Sequence, residues 1–416
     1  MNFRSIKGTK DIIPGESERW HFVEATVRSV LHLHNYSELR TPILENTALF
    51  ARSIGELTDI VSKEMYTFTD RSGDSVTLRP EGTASAIRAY LQNNLSEQSP
   101  LTKLYYLGPM FRQERPQAGR LRQFHQFGAE ALGSQSPLLD VECMVIVLQI
   151  LRQLGISEAE LSVNSVGCEK CRPPYKELLV KSLSAMRDRL SQESQKRIEQ
   201  NPLRVLDSKD EGDKALTADV PLMKDHLCEE CSTHFAAVQN TLRALGVPFK
   251  IDGRLVRGLD YYTKTAFEIT SSALGSQDAL AGGGRYDLLV EELGGKPTPG
   301  VGFAAGLERI LIVLSKNDKQ QTPVNNPTVF LVGMDEASRA WAFHTAIELR
   351  SQGIPAETDY LERSVKAQLR EANRQHAGFV VVVGGEELNS GSAKLKDMKT
   401  GEERPVALNA IASSLH

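Results

Sequence analysis

Apolar residues recur at helical spacing at Trp20, Val23, Val27, Val30 and Leu31, which predicts a helix over residues 16–35 with Pro14 and Gly15 at its start. An extended stretch over residues 36–44, interrupted by Pro42, follows. Short β-prone runs within residues 65–78 flank a turn at Arg71-Ser72-Gly73-Asp74. Arg79-Pro80-Glu81-Gly82-Thr83 then opens a helix running to about Asn93. Residues 104–112 and 122–132 read as extended runs joined by a polar, arginine-rich hairpin loop, and residues 138–154 as a long amphipathic helix. From about Gly167 to about Val247 the pattern is helical and charged, and two Cys-x-x-Cys pairs bracket it. A β-rich, glycine-rich pattern resumes over residues 249–314. The simplest account is an α+β domain with an antiparallel sheet and flanking helices, interrupted by a helical insertion over about residues 168–247.

Residues 316–327, rich in Asn, Gln, Asp and Pro, read as a linker. Beyond them come a strand (328–332), a helix (336–352), a short strand near Pro355, a helix (363–375) and a strand (378–383). This alternation predicts a small α/β domain with a largely parallel sheet, giving a division into residues 1–325 and 326–416.

Composition narrows the function classes. Of 416 residues 40% are hydrophobic and 25% charged, which is ordinary globular usage with material for more than one core. No apolar run approaches the ~18 residues of a membrane span. Residues 1–10 are basic without an apolar signal core, so a cytoplasmic location is expected. The net charge of −4 speaks against a DNA-coating protein, although local basic patches still bind phosphates on an acidic chain. Five cysteines without a secretion signal make a disulfide framework unexpected.

Four arginines, Arg112, Arg115, Arg120 and Arg122, fall within eleven residues. If the strand continues, alternation puts Arg122, Phe124, Gln126, Gly128 and Glu130 on one face. A cation, an aromatic platform, an amide, a gap and a carboxylate suit a flat, anionic, nitrogen-rich ligand, since arginine forks grip phosphate and rings stack on purines. The bland alternative is a solvated charged hairpin. Glu81, before the helix at Thr83, reads equally as a dipole-stabilising cap. Arg257-Gly258-Leu259-Asp260-Tyr261-Tyr262 reads as a strand of core or interface type, and Gly282-Gly283-Gly284-Arg285-Tyr286-Asp287 as a turn. Gly300–Gly306 reads as a small-residue strand entering a helix at about Leu307, with Arg309 in a first turn where a cation opposes the dipole.

Taken in order, these strings resemble the class II aminoacyl-tRNA synthetases, and the histidyl family in particular, over essentially the whole chain. Residues 111–126 resemble motif 2, residues 300–309 motif 3, and residues 16–44, more loosely, the dimer-forming motif 1. The strings at Arg257 and at Gly282 resemble the two peptides specific to the histidyl family. The resemblance implies activation of histidine by ATP and its transfer to the 3′ end of tRNA(His), with Mg²⁺ accompanying ATP, and a homodimer. It implies that Arg112 clamps the α-phosphate and that Arg257 is the catalytic cation. Phe124 would stack under adenine, and Arg309 would face the γ-phosphate. Glu81, Thr83, Gln126, Glu130, Tyr261, Tyr262 and Tyr286 would hold histidine, and the loop at Gln117-Ala118-Gly119 would approach the tRNA acceptor end. The C-terminal domain resembles the anticodon-binding module, with Arg363, Lys366, Arg370, Arg374, Lys394, Lys396 and Lys399 as candidate phosphate contacts. The rival reading is a non-catalytic paralogue that regulates ATP phosphoribosyltransferase.

Cys168-x-x-Cys171 and Cys228-x-x-Cys231 have the spacing of a structural Zn²⁺ site. The alternative is four reduced thiols packing a hinge. Cys143 reads as a core residue.

Overall fold

The structure, a computed structural model, describes residues 3–55, 58, 60–117, 119–208, 210–277, 279–316 and 326–415. Ala118 and most of the expected linker lie outside the described residues. The chain forms two compact units, residues 1–322 and 323–416.

The first unit is built on an eight-stranded sheet ordered β1 (Ser37–Glu38), β5 (Thr102–Phe111), β6 (Gln123–Leu132), β11 (Gly300–Gly306), β10 (Ala279–Arg285), β9 (Thr263–Thr270), β7 (Glu160–Gly167) and β8 (Lys250–Ile251). Its pairings are antiparallel except at the two edges, β1 with β5 and β7 with β8. A three-stranded antiparallel sheet of β2 (Leu44–Asn46), β4 (Ser75–Leu78) and β3 (Tyr66–Thr69) stands beside it.

The two faces of the large sheet differ in residue size. One face carries Phe127, Ala129, Ala131, Phe303, Ala305, Phe267 and Ile269, all buried in one core with the helices Ser17–Leu33 and Pro137–Gln153. The first of these helices turns Trp20, Val23, Val27, Val30 and Leu31 inward, the stripe predicted from their spacing. The other face has a row of directly paired positions running Tyr106, Gly128, Ala304, Gly282, Glu268 across five strands. Three small residues between a ring and a carboxylate leave a trough in the middle of the sheet.

The insertion contains the helices Arg172–Ser184, Gln192–Gln200, Glu211–Leu216 and Glu229–Ala244, with a small core around Tyr175, Leu179, Leu183, Ile198 and Met223. Two expectations need correction. Gly282-Gly283-Gly284 is strand, not turn, because it supplies the floor of the trough. Residues 254–262 are turns and irregular chain, not strand, held from outside any ladder by bonds such as Asp260 N–H to Ile54 O at 3.3 Å.

In the second unit β13 (Ala356–Thr358), β12 (Val329–Gly333) and β14 (Phe379–Val383) are parallel, while β15 (Ser392–Asp397) and β16 (Glu403–Ala407) complete the sheet antiparallel. The sheet is therefore mixed rather than largely parallel. The helix begins at Val365, so Arg363 precedes it and pairs with Asp359 at 2.5 Å and Glu371 at 3.2 Å. Arg374 also pairs with Glu371, so these two arginines are already engaged by carboxylates. Among the described residues no helix is long and apolar enough to cross a membrane.

Candidate active site

The trough opens into a cleft of about 210 Å³. Its walls carry Glu81, Thr83, Arg112, Phe124, Gln126, Arg257, Tyr261, Tyr262 and Arg309, which brings nine of the eleven expected substrate residues to one cavity. The remaining two, Glu130 and Tyr286, are buried behind it.

At the inner end Glu130 is fully buried. Its Oε2 accepts the Tyr286 hydroxyl at 2.5 Å, and its Oε1 accepts Thr83 Oγ1 at 2.7 Å and the Tyr106 hydroxyl at 3.3 Å. Burial pushes the Glu130 carboxyl up to about 8, against the hydroxyls of Tyr286 and Thr83, which hold it down. Room for this carboxylate comes from its cross-strand partner Gly302, where a Cβ would stand 1.8 Å from Glu130 Oε2. The Tyr261 and Tyr262 rings meet at 4.7 Å between centroids, and Tyr261 meets Tyr286 edge-on at 5.7 Å.

Glu81, one residue before the N-cap Gly82, accepts the backbone N–H groups of Thr83 at 2.6 Å and Ala84 at 2.8 Å, and so satisfies first-turn donors of the helix Thr83–Gln92. A carboxylate has about four lone-pair sites, so these bonds leave capacity facing the cleft. Burial raises the Glu81 pKa above the ordinary carboxylate range. Gln126 lines the cleft, and its Oε1 is buried with no hydrogen-bond partner among the described residues.

Cations line the outer part. Arg112 donates to Pro80 O at 2.9 Å and lies over the Phe124 ring at 5.3 Å. Arg309 donates to Gly119 O at 3.1 Å and Ala279 O at 2.6 Å, tying the hairpin loop to β10. Burial lowers the Arg309 pKa, with the charge of Arg120 acting in the same direction. Arg257 pairs with Glu268 at 2.6 Å, and its Nε is buried without a partner among the described residues. The guanidinium lies flat on β10 because Gly282 has no side chain; a Cβ there would sit 2.3 Å from an Arg257 nitrogen.

Arg122 is not part of the cleft wall. The strand begins at Gln123, and the Arg122 backbone instead bonds Gly8 O at 2.7 Å while its side chain reaches Lys7 O and Glu114 O. Three residues are added to the site: Tyr106 and Glu268, which end the central row, and Glu114, a cleft carboxylate between Arg112 at 3.7 Å and Arg120 at 3.3 Å. Period-two alternation puts Tyr106 and Glu268 on one face of their own strands, but which face meets Glu130 or Arg257 depends on the register between distant strands.

The chain matches the family described as histidyl-tRNA synthetase over residues 8–310 and that described as anticodon binding domain over residues 316–416. It is 48% identical over 409 residues to a protein named histidine–tRNA ligase from Halothermothrix orenii, covering 98% of this chain and 97% of the relative. It is 48% identical over 412 residues to one of the same name from Natranaerobius thermophilus, covering 99% and 98%. The crystal structure of apo S. aureus histidyl-tRNA synthetase superposes over 100% of both chains with a TM-score of 0.85 at 36% identity. The regulatory-paralogue reading has the weaker support, because relatives matching from end to end carry the ligase name. With a cleft of this composition and matches spanning both units, the chain belongs to the histidyl-tRNA synthetase family of aminoacyl-tRNA ligases.

Proposed function

We propose that this chain activates histidine with ATP and transfers it to the 3′ end of tRNA(His). The observation that carries the reading is the polarity of the cleft: a buried carboxylate ringed by hydroxyls at the inner end and four arginines, Arg112, Arg120, Arg257 and Arg309, toward the outer end. An imidazole with two nitrogens fits the first region, and a triphosphate fits the second.

In the first step a carboxylate oxygen of histidine attacks the α-phosphorus of ATP, the bond to the bridging oxygen breaks, and pyrophosphate leaves. Such a transfer needs mainly positioning and charge stabilisation. Arg112 clamps the α-phosphate and the carboxylate. Arg257, whose Nε has no protein partner among the described residues, stabilises charge growing on the phosphorus oxygens. Phe124 stacks under adenine, and Arg309 faces the γ-phosphate. Glu81 and Thr83 hold the α-ammonium. Gln126, its Oε1 without a partner among the described residues, and Tyr261, Tyr262 and Tyr286 close around the side chain. Glu130 and a tyrosine hydroxyl pair the two imidazole nitrogens. In the second step the terminal ribose hydroxyl of tRNA attacks the carbonyl carbon and AMP leaves.

Mg²⁺ keeps several waters and phosphate ligands, so one or two protein carboxylates suffice for it. Glu114 and Glu308 are the cleft carboxylates that would hold it, Glu114 lying 3.3 Å from Arg120 and Glu308 engaged by His125. The ion would neutralise the pyrophosphate charge. Lys366, Arg370, Lys394, Lys396 and Lys399 are the proposed phosphate contacts of the second unit, Lys394 being exposed and 3.4 Å from Glu403, and the cytoplasm the compartment. A homodimer is supported by exposed apolar side chains in the first 70 residues, among them Phe3, Ile6, Ile13, Leu44 and Phe68.

The test is ATP–pyrophosphate exchange with each amino acid in turn, with Arg257→Ala beside the parent. Exchange with histidine alone, lost in the variant, is the expected result. A folded parent with no exchange for any amino acid would sink the ligase reading and favour the regulatory paralogue.

A further inference from the structure

Cys168 and Cys171 follow directly on β7, and Cys228 and Cys231 open the helix that closes the insertion. Their four Sγ atoms lie within 4.8 Å of one another. Cys168 Sγ stands 3.7 Å from Cys171 Sγ and 3.8 Å from Cys228 Sγ. A disulfide needs about 2.05 Å between sulfurs, and all four cysteines are free. A tetrahedral zinc site with bonds of about 2.3 Å has sulfur–sulfur edges of about 3.8 Å. These two edges match an S₄ tetrahedron and exclude a bridge, and all four sulfurs converge on one point as a single ion would require. The surroundings agree. Cys171 and Cys228 are the N-cap residues of the helices Arg172–Ser184 and Glu229–Ala244, so two positive helix ends meet where four thiolates would leave excess negative charge. The Cys228 backbone N–H donates to Cys171 Sγ at 3.1 Å, the kind of outer bond that orients a metal ligand.

Both pairs are tied to the tyrosine loop. Arg172, next to Cys171, donates from Nε to Val166 O at 3.0 Å and from its terminal nitrogen to the Tyr262 carbonyl. Glu230, between Cys228 and Cys231, pairs at 2.9 Å with Lys264, which also reaches Asp287 at 3.3 Å. Lys264 and Asp287 adjoin Tyr262 and Tyr286 closely in the chain.

We propose that Cys168, Cys171, Cys228 and Cys231 bind one Zn²⁺ in a closed structural site, and that this knot positions the Tyr261–Tyr262 loop through Arg172. Zinc displaces the thiol protons to solvent and takes four thiolates, leaving no open position for a substrate. Arg172 is a positioning residue and touches no ligand. The second half of the proposal rests on the histidine reading above; the metal half does not.

Elemental analysis of the purified full-length chain tests the metal directly, with about one zinc per chain expected, and Co²⁺ exchange should give the spectrum of a tetrahedral tetrathiolate. Stripping zinc, or the variant Cys168→Ser with Cys228→Ser, should raise KM for histidine at least about tenfold with KM for ATP little changed, and zinc returned to the stripped parent should restore it. Should stripping unfold the chain, Arg172→Gln carries the positioning test: it keeps its zinc and shows the same rise. A folded parent that neither contains nor takes up zinc overturns the metal site, and iron in its place overturns the zinc assignment. A histidine KM unmoved in Arg172→Gln, or moved together with that of ATP, overturns the positioning role.

Discussion

The Tyr286 hydroxyl donates to Glu130 Oε2 at 2.5 Å in a place where neither residue meets water. Desolvation dominates, and the Glu130 carboxyl rises from 4.5 to about 8 despite the hydroxyls of Tyr286, Thr83 and Tyr106, with the nearby Glu81 pushing in the same direction as burial. Between those two values the unfolded chain is ionised at this position while the folded chain keeps its proton. The folded state then binds more protons, so this group makes stability fall as pH rises through the window, and the dependence ends once the folded carboxyl ionises too. Glu130→Gln removes it. The Tm of the variant relative to the parent should therefore climb between about pH 5 and about pH 8 and level off above. A difference independent of pH would refute the raised carboxyl. Histidine KM in the variant should rise roughly 10- to 100-fold, the loss of a hydrogen bond to a charged or ionisable partner.

Gly302 has no room for a single methyl group. A Cβ there would stand 1.8 Å from Glu130 Oε2 and 2.5 Å from Ala129 O, and the second of these is backbone that cannot swing aside. Gly302→Ala should cost about 1–3 kcal/mol of stability by overpacking. It should also displace Glu130, raising KM for histidine more than KM for ATP. Denaturant unfolding and exchange kinetics on the same preparation check both, and unchanged histidine binding would mean that the sheet yields instead.

Local patterns were legible where each residue's partner lies near it in sequence or on the same stripe. The core face of the first helix and the alternation of Phe124, Gln126 and Glu130 are of this kind, and both follow from element period alone. Tyr106 and Glu268 were not legible, because their importance comes from a row that crosses five strands with long connections between them. Arg285 sits in a string that reads as a polar turn, yet it is fully buried. The Tyr261–Tyr262 segment looks like a strand by residue type, but it has no ladder partner and is held by Arg172 from the insertion. Arg122 falls just outside β6 for a related reason: its N–H turns to Gly8 O at 2.7 Å, and only its carbonyl keeps a bond across the hairpin, from Arg112 N–H at 2.9 Å.

Arg285 gives a stability prediction. It meets Asp140 at 2.5 Å, with both side chains fully buried, and His234 approaches the same carboxylate at 3.2 Å. Burial alone would raise the Asp140 pKa, but the His234 hydrogen bond and the Arg285 charge overcome it and hold it below the ordinary 3.8. Asp140→Ala leaves a buried guanidinium facing no carboxylate at that position, and breaking a buried pair from one side costs about 3–5 kcal/mol. The midpoint of chemical unfolding should fall accordingly, with the parent losing this contribution only in acid, as pH falls through the depressed Asp140 pKa. A loss under 1 kcal/mol or so would mean that water or Asp287 compensates Arg285.

Glu268 presents a sharper case, because its whole effect should pass through Arg257. The pair is 2.6 Å apart at the end of the small-residue row, and Gly282 lets the guanidinium lie between Glu268 and the cleft. Arg257→Ala should lower kcat by about 10²–10³, the usual loss of one preorganised donor aimed at developing charge. Glu268→Gln keeps the cation but loosens its aim, and about a tenfold loss is expected. If Glu268 acts only by holding Arg257, it has nothing left to hold in Arg257→Ala, and the double variant should be no slower than Arg257→Ala alone. Multiplied losses in the double variant would instead mean that Glu268 touches the nucleotide itself. Rescue of a Glu268→Gln defect by raised ATP alone would point the same way.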